Sequence, residues 1–195
     1  MSRVCVVNHL TLDGVMQAPG GADEDRRGGF AHGGWSRPYA DDVMGRVMGE
    51  GMATSGALLF GRRTYEQFAS FWPHEPADNP FVGVLNGAQK YVASTTLAEP
   101  LPWQNSTLLA GDAAGAVARL RDQPGRDLVV LGSGELVRSL LARGLVDRFV
   151  LPIHPLVLGT GRRLFEDGGA FAALTLVDSV TTSTGVIIAT YEPAR

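Results

Sequence analysis

The sequence of 195 residues is long enough for one sizeable hydrophobic core, and we expect a single domain over residues 1–195. Apolar residues make up 45% of the chain and the net charge is −3, which argues against nucleic acid or an anionic membrane as the main partner. The single cysteine, Cys5, excludes an internal disulfide, and no apolar run approaches the ~20 residues of a membrane span. The N-terminus lacks a signal-peptide pattern, so we expect a soluble, cytoplasmic protein.

Hydrophobic patterning predicts strands and helices in alternation along most of the chain. Short β-branched apolar runs indicate buried strands, and apolar residues at helical spacing indicate the helices between them. The predicted strands lie at residues 3–10, 57–60, 90–93, 107–110, 128–131, 146–154, 174–182 and 185–191. The predicted helices lie at residues 39–54, 61–71, 81–87 and 112–121, with a last one between Gly134 and Gly144. The three glycines of the first helix weaken it and would allow close helix packing.

This order predicts an α/β fold. Strand–helix alternation closed by antiparallel strands indicates a mostly parallel central sheet with helices on both faces and an antiparallel C-terminal hairpin around residues 183–185. Ligands of such sheets bind beyond the carboxyl ends of the strands, so the residues that follow each strand are the candidates for a site.

Three of these strand ends carry residues that suit an anion. Gly132-Ser133-Gly134 stands between a strand and a helix, where free backbone N–H groups and the helix dipole favour a phosphate. Arginines and a threonine open the helix at residues 61–64, and three hydroxyl residues follow the strand at 94–96. Each strand end also has an ordinary structural explanation: a tight strand–helix connection for the glycine turn, a partner carboxylate for the arginines, and turn capping for the hydroxyl residues. Together they favour one extended polyphosphate ligand.

Residues 17–38 form a long irregular segment that is rich in glycine. Glycine pairs at 20–21, 28–29 and 33–34 offer hinges, and Phe30 and Trp35 argue against a solvated linker. We interpret the segment as a lid or pocket wall that would place Phe30 or Trp35 against a flat ligand. Permanent packing, including packing against a second subunit, is the alternative.

Five motifs carry a resemblance to a known family. Thr11-Leu12-Asp13-Gly14 follows the first strand, and Gly61-Arg62-Arg63-Thr64-Tyr65-Glu66 opens the second helix. The others are residues 90–97, 131–134 and 155–161. With these motifs the chain resembles the dihydrofolate-reductase-like superfamily, and in particular the reductase domain of riboflavin-biosynthesis deaminase-reductase proteins. The resemblance runs nearly end to end and implies a dihydrofolate-reductase-like fold, NADPH as cofactor and a homodimer.

The resemblance also implies which residues hold the cofactor. Arg62, Arg63 and Thr64 would bind the 2′-phosphate and pyrophosphate, and Ser94 and Thr95 the adenosine end. The glycine turn would cradle the pyrophosphate. The full expected cofactor set is Gly61, Arg62, Arg63, Thr64, Ser94, Thr95, Leu131, Gly132, Ser133, Gly134 and Glu135.

The substrate is a small molecule that we expect to be pteridine-like or pyrimidine-like. Reduction of a C=N or C=O group needs a proton, and Asp13 is the candidate catalytic acid, with a turn residue as its alternative role. Candidate substrate-binding residues are His9, Phe30, Trp35 and Asp41, although helix capping would also account for Asp41.

Two other functions stay open on the sequence. A nucleotide-binding regulatory or sensing protein that has lost turnover would need no acid beside the nicotinamide. A flavin-using oxidoreductase would be yellow when purified. We expect no metal, because the zinc motif of the nucleobase deaminases is absent from the sequence.

Overall fold

The computed structural model describes residues 1–194, which contain nine strands and five α-helices. The strands are β1 Val4–Val7, β2 Leu10–Thr11, β3 Ser55–Gly61, β4 Gln89–Ala93, β5 Ser106–Leu109, β6 Asp127–Leu131, β7 Arg148–His154, β8 Leu174–Thr181 and β9 Ile187–Pro193. The helices are α1 Asp42–Thr54, α2 Arg62–Phe71, α3 Pro80–Gly87, α4 Ala113–Asp122 and α5 Gly134–Ala142. None of these helices is long and apolar enough to cross a bilayer.

One sheet contains all the strands, in the order β5-β4-β3-β6-β1-β7-β9-β8, with β2 beside β7. The pairs from β5 to β7 are parallel, and the β7–β9 and β9–β8 pairs are antiparallel. This confirms the predicted α/β class. Because β6 lies between β3 and β1, the loops that follow these three strands meet at one edge of the sheet.

Helices cover both faces of the sheet. Val4 and Val6 of β1 face α4 and α5, whereas Cys5 and Val7 face the side that carries α2 and α3. Helix α1 packs on that second side through Met44, which contacts strand β9. The alternation along β1 therefore produces two buried layers and leaves a gap between α1 and α2.

Two of the boundaries that differ from the sequence prediction have a local physical cause. The first predicted strand, 3–10, is interrupted at Asn8 and His9, where the buried Asn8 turns its backbone N–H to Val150 O at 3.2 Å. The first helix begins at Asp42 rather than residue 39, because Asp41 is its N-cap and Pro38 lies in a preceding 3₁₀ turn.

The glycines of α1 are not packing positions. A Cβ atom added at Gly45, Gly49 or Gly51 would meet no atom within 4 Å, so the expectation of close helix packing at these residues is wrong.

A buried lysine ties the α3–β4 connection to the loop before β5. The Lys90 ammonium group donates to the carbonyl oxygens of Ala88 at 2.8 Å, Gln104 at 3.1 Å and Asn86 at 3.2 Å. It also lies 4.3 Å from the centre of the Trp103 ring. Burial lowers the pKa of Lys90 to about 8, so the group keeps its proton at neutral pH.

Candidate functional site

A cleft of about 1490 Å³ lies over the carboxyl ends of the parallel strands and continues along one face of the sheet. Its loop end is formed by residues 61–64, 94–96 and 132–135. Its helix groove runs between α1 and α2 over Cys5 and Val129. The structure thus brings the three anion-friendly strand ends into one space, as the sheet order requires.

The turn after β6 is joined to the start of α2. Gly132 and Ser133 both have left-handed backbone conformations, with φ of 60° and 61°. Ser133 Oγ accepts from Gly61 N at 2.8 Å and donates to Thr64 Oγ1 at 3.0 Å. A Cβ at position 132 would lie 3.3 Å from Thr64 Cγ2, so the glycine permits this approach. The N-termini of α2 and α5 are thereby held beside each other.

These two helix N-termini are open to an anion. Neither has a side-chain cap, so the first backbone N–H groups of each helix retain their hydrogen-bonding capacity. Arg62 pairs with Glu66 at 3.0 Å, whereas Arg63 is exposed at the cleft. The loop end therefore combines two positive helix ends with the guanidinium group of Arg63, which forms no ion pair within residues 1–194.

The residues after β4 have a mixed role. Ser94 Oγ accepts from Thr96 N at 3.1 Å and from Leu97 N at 3.0 Å, which is the turn-capping arrangement. Thr95 is exposed and lines the cleft. Ser94 thus shapes the turn, and Thr95 presents its hydroxyl group at the loop end.

Asp13 lies outside the cleft and holds a loop. Its carboxylate accepts from Thr11 Oγ1 at 2.5 Å, Gly159 N at 2.8 Å and Leu158 N at 3.2 Å, and its backbone oxygen accepts from Arg163 Nε at 2.8 Å. Burial acts to raise the pKa of the Asp13 carboxyl, but these hydrogen bonds outweigh it and lower that pKa. The structure places Asp13 as a clamp on residues 155–161, away from the position that we expected for a catalytic acid.

Asp41 borders the cleft with both carboxylate oxygens occupied. Oδ1 accepts from Met44 N at 2.8 Å, and Oδ2 accepts from Ser183 N at 2.7 Å and Ser183 Oγ at 2.6 Å. The Ser183 hydroxyl and the Met44 amide lower the pKa of Asp41. Asp41 therefore joins α1 to the β8–β9 hairpin, which accounts for its place at the helix start.

Phe30 and Trp35 do not line the cleft. Both are buried in a small cluster with Val15 and Ala18. The Trp35 indole donates to Gln17 O at 2.7 Å. The aromatic residues that we expected to stack on a ligand are instead the packed base of the 17–38 segment, and residues 17–25 form the cleft wall.

Gln17 and Glu24 of this wall were not among the site residues predicted from the sequence. The buried Gln17 amide donates to Asp25 O and Arg27 O, both at 3.0 Å, and accepts from Arg162 N at 2.9 Å. Glu24 Oε2 accepts from Gly20 N at 2.6 Å and Gly21 N at 2.9 Å, and burial raises the pKa of its carboxyl. The cluster of charges at residues 23–27 was the signal that could have identified Glu24.

His9 lines the cleft and pairs with a histidine that the sequence analysis did not single out. Its Nδ1 lies 2.9 Å from Nε2 of His154, which is buried between the rings of Trp35 and Tyr39 at 5.1 and 5.4 Å. Burial lowers the pKa of both imidazoles to about 4. Both rings are therefore neutral at pH 7.

Residues 3–188 match the family described as the RibD C-terminal domain. YyaP of Bacillus subtilis is 31% identical over 138 residues, which cover 69% of this chain and 72% of YyaP. A riboflavin biosynthesis protein of Shewanella sp. PV-4 superposes with a TM-score of 0.72 at 21% identity, covering 99% of each chain. Dihydrofolate reductase of Enterococcus faecalis, complexed with NADP(H), superposes with a TM-score of 0.57 at 13% identity, covering 99% of this chain and 97% of that one. The dihydrofolate-reductase-like fold is confirmed.

Proposed function

Because the chain belongs to the RibD C-terminal domain family, we propose that it is an NADPH-dependent reductase that transfers a hydride to a small pteridine-like or pyrimidine-like heterocycle. The observation that carries the proposal is the meeting of three strand-end segments in one cleft. The hydrogen bonds of Ser133 to Gly61 and Thr64 hold two open helix N-termini at one place. A pyrophosphate fits such a site, because two helix dipoles and free backbone N–H groups favour its charge.

The arginines favour NADPH over NADH. Arg63 stands exposed at the loop end, whereas Arg62 shares its charge with Glu66. A guanidinium group binds a phosphate through two parallel hydrogen bonds, so Arg63 suits the 2′-phosphate that distinguishes NADPH. Thr64 and Thr95 would add hydroxyl groups along the same ligand.

The helix groove suits a flat heterocycle. Methionines 44, 48 and 52 of α1 face Phe68 of α2 across it, over the apolar residues of β1 and β6. The cleft volume of 1490 Å³ exceeds the ~300–1,000 Å³ typical of a site for one small ligand. There is room for a dinucleotide at the loop end and for a substrate in the groove.

Titration of NADPH and NADH tests the proposal. We expect the wild type to bind NADPH far more tightly than NADH. Arg63→Ala should weaken NADPH roughly 10- to 150-fold, because a charge-assisted hydrogen bond is worth about 1.5–3 kcal/mol, and should leave NADH nearly unchanged. Arg62→Ala should have a smaller effect, and Arg46→Ala on the outer face of α1 is the matched control.

Equal affinity of the wild type for NADPH and NADH would refute the cofactor assignment. Loss of NADPH absorbance at 340 nm in the presence of pteridine and pyrimidine substrates then tests turnover. Tight NADPH binding without oxidation of NADPH by any of these heterocycles would contradict the reductase assignment and leave the cofactor site intact.

We also propose a homodimer that pairs through the β8 edge. In the part of the chain that the structure describes, β8 has a neighbouring strand on one side only, and its Leu176 and Val177 side chains are about half exposed. Phe171, just before it, is 95% exposed. An uncovered strand edge with apolar side chains is a pairing surface. Light scattering at micromolar concentration should give twice the chain mass, and Leu176→Lys should shift it to the monomer. A monomeric wild type would refute this proposal.

A further inference from the structure

His9 lines the cleft, and within residues 1–194 each ring of the His9–His154 pair has one nitrogen without a hydrogen-bond partner. His9 Nδ1 and His154 Nε2 share one hydrogen bond of 2.9 Å. Among residues 1–194, the buried side-chain polar atoms without a partner are Arg27 Nη1, Ser106 Oγ and His154 Nδ1. His9 Nε2 has no hydrogen-bond partner in this part of the chain and is absent from that set, so it is open to the cleft that His9 lines.

The burial of His154 decides which ring donates. If His9 Nδ1 carried the shared proton, neutral His154 would bear its own proton on Nδ1, and a buried N–H would have no acceptor. If His154 Nε2 carries it, the unpartnered atom is a lone pair. Orphaned buried N–H groups are rarer than under-used acceptors, so the second arrangement is favoured. Neutral His9 then has its only proton on Nε2, facing the cleft.

We propose that His9 is a specificity-determining hydrogen-bond donor, which His154 fixes in the Nε2–H form, and that it selects ligands with a ring carbonyl at this place in the cleft. The choice of ligand rests on the proposed function, whereas the tautomer assignment rests on the geometry of the pair alone. A neutral donor binds the carbonyl oxygen and stabilises negative charge that develops on it. It repels the amino group of an otherwise similar heterocycle, because two donors would face each other.

The surroundings of the pair keep it uncharged. The rings of Trp35 and Tyr39 pack edge-on against His154, and burial lowers the pKa of both histidines to about 4. Asp13 and Asp41, the acids nearest in sequence to His9 and Tyr39, are bound to Gly159 and Ser183, respectively. The donor therefore persists as a neutral imidazole across the physiological range.

Nitrogen-15 NMR of histidine-labelled protein, without ligand, tests the tautomers first. We expect both His9 and His154 to be protonated at Nε2, with His154→Phe releasing His9 into a mixture of tautomers. A wild-type His9 that is protonated at Nδ1 would overturn the inference, whatever the cofactor.

Binding of two pteridines to the NADP⁺-saturated protein tests the selectivity. Pterin has a ring carbonyl where 2,4-diaminopteridine has an amino group. We expect pterin to bind at least about 5-fold more tightly to the wild type, in line with about 1 kcal/mol for one hydrogen bond. The ratio should fall to about 1 in His9→Phe, with NADP⁺ affinity unchanged.

An unchanged ratio in His9→Phe, or failure of both pteridines to bind, would overturn the donor role. Failure of NADP⁺ to bind would instead count against the proposed function, and the NMR result would still decide the state of the histidine pair.

Discussion

Replacing Asp13 separates a structural clamp from a catalytic acid. Asp13→Ala removes the acceptor of Thr11 Oγ1, Leu158 N and Gly159 N. The loss of a hydrogen bond to a charged group lowers the free energy of unfolding by about 1.5–3 kcal/mol. Water can replace the carboxylate as acceptor at the exposed Gly159, so we expect the variant to be less stable by about 2 kcal/mol in total. For a chain of this size the loss lowers Tm by about 4–8 °C. Thermal unfolding followed by circular dichroism measures it.

The pH dependence of this loss has a defined sign. The folded-state pKa of Asp13 is lowered, so its contribution is complete above an unfolded pKa of about 3.9 and is lost as the pH falls further. The difference in Tm between wild type and Asp13→Ala should therefore shrink in acid. Asp167→Ala, at an exposed turn, is the control and should leave Tm unchanged. A stable Asp13→Asn variant that binds NADPH normally and has lost all turnover would refute the clamp and restore the catalytic acid.

Three further outcomes are expected. Because burial lowers the pKa of His9 and His154 to about 4, the unfolded chain binds more protons than the folded chain between pH 4 and 6.5. The free energy of urea unfolding should therefore fall by about 2 kcal/mol per histidine, or roughly 4 kcal/mol for the pair, from pH 7.5 to pH 5, and by about half as much in His154→Gln. A pH-independent stability would contradict this expectation. In the same assay, Lys90→Met should lower the free energy of unfolding by about 3 kcal/mol, because the carbonyl oxygen of Ala88 loses its hydrogen-bond donor. A decrease of less than 1 kcal/mol would show that the fold does not depend on the ammonium group. Saturating NADPH should slow amide hydrogen exchange over residues 17–25, which line the cleft, and leave the exchange of residues 30–35 unchanged. Slower exchange over the whole 17–38 segment would instead support a lid that closes as one unit.

The positions of the strands, and the residues that follow each strand, could be predicted because their sequence signals are local. The short apolar runs of β3, β4 and β6 identify buried strands, and glycine, arginine or hydroxyl residues at their ends identify the loop end. A parallel sheet then places those strand ends together without any knowledge of side-chain contacts. The fold class and the position of the cleft were accessible for this reason.

The roles of individual side chains were less accessible, because their partners are distant in sequence. The clamp of Asp13 depends on amides at residues 158–159, and the capping of Asp41 depends on Ser183. His154 reaches His9 because β2 pairs with β7 in a register that sets Thr11 against His154. The prediction that Phe30 or Trp35 contacts the ligand was wrong, because aromatic residues in a glycine-rich loop can equally be buried in a hydrophobic cluster beneath the loop.

The three glycines of α1 lower the intrinsic helix propensity of one wall of the cleft. Each glycine costs a helix roughly 0.5–1 kcal/mol relative to alanine, and here none of the three is required by a neighbouring atom. Alanine at positions 45, 49 and 51 would thus fit without collision and raise stability, mainly by restricting the unfolded chain. The sequence lacks that gain at the helix whose methionines line the groove. Under the proposed function, a more rigid α1 should hold its ligand longer and slow the release of product.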